Sequence, residues 1–527
     1  MENLTGDCLG ELAITVIEQK GVERMGVLSG LEPESVFYYF EEITKIPHGS
    51  GNVERISDYL ADFAKQRGLF CIQDAWKNII IVKHATPGYE KEPPLILQGH
   101  MDMVAVCEPG CTMDMKKEGL KVAVAGDNIY AEQTSLGGDD GIAVAYALAI
   151  LDSQTLKHPR LEVVITVDEE VGMDGAREID LSMLRANRMI NLDSEEEGIF
   201  LTSCAGGARV SCIFDVEQEE RRGILCGINV GGLQGGHSGT EIHRERANSN
   251  CLFARVLKRL TDELPIQLVE IKGGHADNAI SRETKAIVLL PGESGEPDNM
   301  QSMTEQANRL DAIMTVLQKD IAAELAVRDP GFTLNWNINW KINVQKMPAL
   351  QVLTEDSTRK IAVALNALPN GVQAMSQELR GMVETSLNFG MLRLKNNKIV
   401  AEFAVRSSVE SAKKALIDRM ASVVELADGT YIVSGDYPGW QFRTNSPLRD
   451  KMVAVYQQMY GVKPKVEAVH AGLECGLLGS KIQDLDCVSI GPDMKDIHTT
   501  EETLSISSTA RVWNYLVKLL ETKDNFA

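Results

Sequence analysis

The 527-residue chain has no basic excess: 53 Lys and Arg stand against 75 Asp and Glu, a formal net charge of −22. A general nucleic-acid binder needs a basic face to displace phosphate counterions, so that class is excluded. A polybasic membrane-surface protein is excluded on the same ground. No apolar run approaches the ~20 residues of a membrane-spanning helix. The N-terminus, MENLTGDCLGELAITVIEQKGVERM, lacks a basic segment followed by an unbroken apolar stretch, so it does not read as a secretory signal. The ten cysteines are scattered, and the closest pair, Cys107 and Cys111, has no matching second pair. Neither a disulfide framework nor a zinc knuckle is expected. These absences leave a soluble cytoplasmic protein with free thiols and no nucleic-acid or membrane partner.

The residues that are present supply material for more than one core. Hydrophobic residues make up 44% and charged residues 24%, ordinary for globular chains, and the length suggests about three domains. Residues 31–70 read as helix, with Val36, Phe37, Phe40 and Ile43 at helical spacing. Short apolar runs come next at Ile79 to Val82, Leu95 to Leu97, Val163 to Val167 and Met189 to Leu192, with an Ala-rich helix from Gly141 to Leu151 among them. Strands alternating with helices predict an α/β fold, a mostly parallel sheet with helices on both faces. From Gly206 the texture changes to alternating strands and long helices: Cys212 to Val216, Ile224 to Val230, Asn248 to Leu264, Lys285 to Leu290, Met303 to Val327, Leu334 to Val344 and Ile399 to Val405. That order predicts an inserted α+β domain with an antiparallel sheet. The α/β texture resumes after Tyr437-Pro438-Gly439, with helix Leu448 to Tyr460, the run Cys487 to Ile490 and a closing helix after Ser507. The expected division is an N-terminal extension (1–30), a first catalytic segment (31–206), an inserted domain (207–436) and a second catalytic segment (437–527).

Histidines and carboxylates stand at the ends of the apolar runs, and this is the informative pattern. Leu95-Ile96-Leu97 leads to His100 and Asp102; Val163 to Val167 leads to Asp168-Glu169-Glu170; Met189 to Leu192 leads to Asp193; Cys487 to Ile490 leads to Asp496-Ile497-His498. A further carboxylate, Asp139, stands in Gly137-Gly138-Asp139-Asp140-Gly141 ahead of the Ala-rich helix. Ligands of open α/β sheets bind beyond the carboxyl ends of the strands. Each element alone has an ordinary explanation as a solvated turn, a capping pair or a helix N-cap. Five such coincidences do not. Imidazole and carboxylate without thiolate suit zinc first, with cobalt or manganese also fitting. Two metals ~3.5–4 Å apart and sharing one carboxylate would activate a water and polarise a carbonyl. The ligands divide as His100 and Asp193 on one metal, Glu170 and His498 on the other, with Asp139 bridging. Asp102 is placed to orient the His100 ring. Glu169 and Glu170 point apart, so one binds metal and Glu169 serves as general base.

The blocks LQGHMDMV, TSLGGDDGIAVAYALAIL, TVDEEVGMDGA, NLDSEEEG, GGHSGTEIH, HAGLECG and DIHTTEE make the chain resemble the bacterial aminoacyl-histidine dipeptidases, within the larger clan of two-metal exopeptidases. The resemblance runs from about Leu31 to the C-terminus. It implies hydrolysis of unsubstituted dipeptides, with a tripeptidase or N-acyl-amino-acid deacylase as the alternative, and a catalytic α/β domain carrying an inserted lid. It places the metal ligands on the same five residues, the base on Glu169 and the orienting carboxylate on Asp102. Two departures stand out. The family commonly has Asp-Asn where this chain has Asp139-Asp140. The lid segment usually reads Asn-Ala-Ile-Pro-Arg-Glu, whereas here it is Asn278-Ala279-Ile280-Ser281-Arg282-Glu283; loss of the proline is expected to loosen the backbone around Asn278, a substrate-binding candidate.

The resemblance also implies a homodimer through the lid, with His237 reaching a tetrahedral oxyanion in its own or the partner subunit. Arg406, followed by Ser407-Ser408, could pair bidentately with a substrate carboxylate, an ordinary strand-end arginine being the other reading. Glu474 could hold the substrate's free amine, and His470 reads equally as a substrate-side or a buried structural histidine.

Overall fold

The computed structural model describes residues 26–291, 300–339 and 348–524. The N-terminal extension expected at 1–30 falls almost wholly outside these residues, as does the end of the strand expected at Leu334 to Val344. The helical reading of 31–70 resolves into two helices, Glu34–Thr44 and Glu54–Gln66. The segment between them contains Pro47 and Gly51, whose φ of 71° is left-handed, and a helix does not cross such a pair.

The first sheet has eight strands in the order Phe70–Gln73, Ile79–Lys83, Leu161–Thr166, Leu95–His100, Arg188–Asn191, Asp486–Ser489, Ile199–Cys204 and Lys465–Val469. Its centre is parallel, from Leu161–Thr166 through Leu95–His100 and Arg188–Asn191 to Asp486–Ser489. The edge made by Phe70–Gln73 and Ile79–Lys83 is antiparallel. The central strands Leu161–Thr166, Leu95–His100 and Asp486–Ser489 are buried from end to end, and Arg188–Asn191 is buried after Arg188, as strands covered on both faces must be. One cover is the helix Gly138–Asp152, apolar almost all round, which packs on the strand Leu95–His100 and the helix Glu34–Thr44.

The chain leaves this sheet at Cys204 and enters a second one at Gly206. That sheet is antiparallel, ordered Thr333–Ile338, Gly223–Gly231, Thr284–Pro291, Gln267–Gly273, Val383–Lys395, Lys398–Ser407, Gly206–Asp215 and Thr430–Tyr437, with Gly371–Met375 added alongside Val383–Lys395. Helices Ser249–Glu263, Met300–Leu325, Glu355–Ala367 and Glu410–Leu426 build a separate core with it. The two passes between the sheets run side by side: Cys204 and Trp440 exchange backbone hydrogen bonds of 3.0 and 3.1 Å. A Cβ at Gly206 would lie 2.3 Å from the Gly439 nitrogen, so this contact requires glycine.

Candidate metal centre and its cleft

Parallel register brings the expected residues to one edge. His100 pairs with Thr166, and Gln98 with Asn191, so His100, the Asp168-Glu169-Glu170 turn and Asp193 leave their strands at the same level. The helix start at Gly138 and the loop after Met494–Lys495 add Asp139 and His498. His100 Nε2 lies 3.2 Å from Asp139 Oδ1 and 3.8 Å from Asp193 Oδ1. His498 Nε2 lies 3.1 Å from Asp139 Oδ2 and 2.8 Å from Glu170 Oε1. Three groups with metal-ligand spacing result among the described residues, His100–Asp139–Asp193, Asp139–Glu170–His498 and His100–Glu169–Glu170, and Asp139 belongs to the first two.

The supporting contacts are equally specific. His100 Nδ1 lies 2.9 Å from the Asp102 carbonyl oxygen and 3.5 Å from Asp102 Oδ1. Asp102 is wholly buried and accepts hydrogen bonds from Ser50 Oγ, 2.8 Å, and the Glu169 backbone N–H, 3.1 Å. Asp140, the departure from the family pattern, turns its carboxylate back to the strand, where Oδ2 accepts the His100 backbone N–H at 3.1 Å. A Cβ at position 99 would sit 2.5 Å from that oxygen, so Gly99 makes the room.

Electrostatics follow from crowding buried anions around two imidazoles. Burial pushes Glu169 well above the usual carboxylate range, with Asp193, Glu474 and Glu170 adding to the effect against the opposing His100. Burial likewise raises Asp193 and Glu170. Asp139 is the exception: burial works upward, but hydrogen bonds from His100 and His498 hold it far below the usual range. His498 is pushed up to about 10, first by Asp139 and then by Glu170. No Lys or Arg among the described residues forms an ion pair with the five ligands. A buried cluster of carboxylates with nitrogen donors and no organic cation fits divalent metal ions.

The remaining candidates lie where the second sheet meets this edge. A cavity of ≈ 380 Å³ is lined by Val171 to Asp174 directly after Glu170, and by Arg209, Asn278, Arg406 and Tyr437 from the other side. Arg406 Nη1 donates to the Tyr437 hydroxyl at 3.4 Å, and its Nε is buried without a partner. Asn278 is exposed to the cavity and its carbonyl accepts the Ser238 N–H at 2.8 Å, next to His237. The expected loosening at Ser281 does not occur. Ser281 is buried, its Oγ lies 2.6 Å from Ser249 Oγ, and its carbonyl accepts the Ser249 N–H at 2.9 Å; side-chain hydrogen bonding replaces the rigidity of proline.

His237 Nδ1 accepts the backbone N–H groups of Thr240, 3.1 Å, and Gly239, 3.3 Å. Its neutral ring therefore carries the proton on Nε2. Burial, then the charge of Arg406, holds the ring below its ordinary pKa. His470 is buried with Nε2 2.7 Å from Ser386 Oγ, and Ser386 pairs across the sheet with Arg406. Glu474 has no exposed surface: Gln98 Nε2 donates to it at 2.6 Å and Thr166 Oγ1 at 2.5 Å, while Oε1 has no partner. Burial raises it to about 8. Sequence reasoning missed Tyr437 as a contact of Arg406 and missed Glu502, whose carboxylate caps the turn that carries Asp139. A larger hollow of ≈ 590 Å³ lies on the second sheet around Asn229, Lys272 and His275, and none of the site residues lines it.

Among the described residues no helix is long and apolar enough to cross a membrane. Residues 96–522 match the model of the peptidase family M20/M25/M40. The chain is 34% identical over 502 residues to the cytosol non-specific dipeptidase of Escherichia coli (strain K12), covering 94% of this chain and 99% of that protein. The crystal structure of aminoacylhistidine dipeptidase from Vibrio alginolyticus superposes with a TM-score of 0.86 at 34% identity, over 94% of this chain and 98% of that one. The aminopeptidase PepT from Bacillus cereus ATCC 10987 shares the fold at a TM-score of 0.52 and 14% identity, over 93% of this chain and 98% of that one.

Proposed function

The chain belongs to the peptidase family M20/M25/M40, and from that premise we propose that it is a two-metal dipeptidase that hydrolyses unsubstituted dipeptides, Xaa-His among them. The observation that carries the reading is Asp139, whose two oxygens face two different imidazoles at 3.2 and 3.1 Å. One carboxylate shared between two His-carboxylate groups is what a dinuclear centre requires. His100 and Asp193 would hold one ion and Glu170 and His498 the other, and zinc would suit these donors first, with cobalt or manganese also suited. When bound, the ions supply Lewis acidity to the scissile carbonyl and lower the pKa of a water.

The rest is work for the chain's own side chains. Glu169 takes the proton of the attacking water and returns it to the leaving amine; burial raises its carboxyl, which makes it a stronger proton acceptor than an exposed carboxylate. Asp102 fixes the His100 ring. His237 donates its Nε2–H to the developing oxyanion. Arg406, half-buried with a free Nε, takes the C-terminal carboxylate of the substrate with help from Asn278. Glu474, expected to hold the free amine, is instead wholly buried against Gln98 and Thr166 and braces the strands under the site, and His470 contacts Ser386 beside Arg406. Residues 207–436 act as the lid and as the dimerisation unit of a homodimer between catalytic segments 31–206 and 437–527. His237, beside Arg406 and the His470 segment, serves the site of its own or of the partner subunit. A cytoplasmic setting agrees with the name of the Escherichia coli relative.

The test is a panel of dipeptides, tripeptides and N-acyl amino acids offered to chelated and zinc-reloaded protein. Hydrolysis of dipeptides only after reloading supports the proposal. Preferential cleavage of tripeptides or N-acyl amino acids replaces it with the alternative, and full activity in the chelated protein rejects both.

A further inference from the structure

The helix Gly138–Asp152 begins with no side-chain cap of its own. Its first turn is instead gripped by a carboxylate more than three hundred residues away. Glu502 Oε2 accepts the N–H of Leu136 at 2.9 Å and of Gly137 at 3.1 Å; Oε1 accepts the N–H of Gly138 at 2.8 Å and of Asp139 at 3.4 Å. The carboxylate is buried, with 3% of the residue exposed. It can approach the backbone this closely because the turn is glycine: a Cβ at Gly138 would lie 3.3 Å from Glu502 Oε1 and 3.2 Å from Met494 Sδ. Gly137 takes a φ of 69° with Met103 Sδ 2.7 Å from where its Cβ would be.

Glu502 lies four residues after His498, and its own N–H returns to the Thr499 carbonyl at 3.4 Å. One short loop therefore holds Asp139 twice, through its side chain by His498 and through its backbone by Glu502. Four donors on one carboxylate at a helix N-terminus form a charge-assisted cap of unusual completeness. We infer that Glu502 is a positioning residue for the metal centre: it fixes the Leu136–Asp139 turn so that Asp139 presents one oxygen to each half of the site. The inference rests on the two-metal reading of the site. It assigns Glu502 no contact with metal or substrate. Partners of this kind set metal affinity by holding the ligand in place.

Glu502→Gln keeps the shape, removes the charge and turns an amide donor toward backbone donors. Zinc affinity, measured by competition with a chromophoric chelator, should fall roughly 10–100-fold for both equivalents, because the displaced ligand is shared. The visible spectrum of the cobalt-loaded variant should shift. Tyr146→Phe is the control for general damage to the same helix, since it deletes only the 2.9 Å bond from Tyr146 Oη to the Thr509 carbonyl. It should lower the melting temperature of the metal-free protein while leaving zinc affinity and the cobalt spectrum unchanged. Glu502→Asp, charged but one methylene shorter, should fall between wild type and Glu502→Gln in affinity. Wild-type affinity in Glu502→Gln overturns the assignment, as does an equal loss of affinity in Tyr146→Phe. A wild-type protein that takes up fewer than two zinc ions overturns the two-metal reading instead, and the Glu502 assignment with it.

Discussion

Asp102 accepts the backbone N–H of Glu169 over 3.1 Å, so the carboxylate that steadies His100 also fixes the main chain of the residue assigned as base. Orientation of the ring and placement of the base are one local structure. Glu169→Gln keeps this backbone bond and removes only the proton acceptor. Its metal content should stay at about two per chain while turnover drops by at least ~10³-fold. Zinc analysis beside steady-state kinetics checks this, and near-normal turnover would take Glu169 out of the mechanism.

Asp139→Ala should behave differently from the other ligand variants. Its two oxygens face His100 and His498, so both metals should be lost or loosened together. His498→Ala removes a partner of Asp139 and Glu170 alone, and should cost one equivalent far more than the other. Metal content after dialysis against weak chelator separates the two patterns. Full occupancy in Asp139→Ala would contradict the bridge.

Much of the site was legible because strand ends can be read without knowing the sheet. The runs ending near His100, Asp168 and Asp193 are short, apolar and followed at once by polar ligands, and a loop after Cys487 to Ile490 leads to His498. Parallel pairing then places such ends at one edge. The hidden part depends on contacts between distant segments. Glu502 resembles any exposed glutamate until the loop after His498 is folded onto the Leu136–Asp139 turn. Tyr437 marks only a change of texture in the sequence, yet its ring packs against Gly207 and Gly472 and its hydroxyl meets Arg406. The strand Val383–Lys395 and the helix Glu410–Leu426 were not anticipated, although Leu416, Met420 and Val424 are buried at helical spacing. Ser281 shows the opposite error: a missing proline suggested looseness, and a buried hydroxyl pair supplies the order.

His470 gives a pH prediction. Burial first, then the charge of Arg406, pushes it from its ordinary 6.5 down to about 3. The folded protein keeps the ring neutral, whereas the unfolded chain protonates it below 6.5. Its contribution to stability is thus fully present above 6.5 and is lost progressively as the pH falls from there toward 3. Between pH 7.5 and 5.5 the loss should be about 1.4 kcal/mol. Urea unfolding of wild type and His470→Asn at both pH values isolates it: the wild type should lose more than the variant by about that amount. Equal losses would show that His470 titrates normally.

Arg406 separates binding of the substrate carboxylate from the chemistry. Arg406→Lys keeps the charge but not the fork, and should raise KM for dipeptides roughly 10-fold or more with a smaller effect on kcat. Dipeptide amides, which lack the carboxylate, should be poor substrates for wild type and little worse for the variant. A variant that loses equally on acids and amides would make Arg406 a structural strand-end residue.

His237 tests how the lid takes part. Its Nδ1 is committed to the N–H groups of Gly239 and Thr240, which leaves Nε2–H as the donor, and burial with Arg406 nearby keeps the ring neutral. A neutral donor to an oxyanion stabilises charge that exists only in the transition state, so kcat should suffer more than KM. His237→Ala should retain both metals and the homodimer while losing roughly 10²–10³-fold in kcat. His237→Gln, with an amide donor of similar reach, should recover part of the loss. Whether the ring serves its own chain is read from mixed dimers of a Glu169→Gln subunit and a His237→Ala subunit. Service within one chain leaves such a heterodimer with no intact site and therefore inactive. Service across the dimer restores one site in two, and activity near half of wild type would place His237 in the partner's cleft. Wild-type kinetics in His237→Ala itself would return the residue to a purely structural turn.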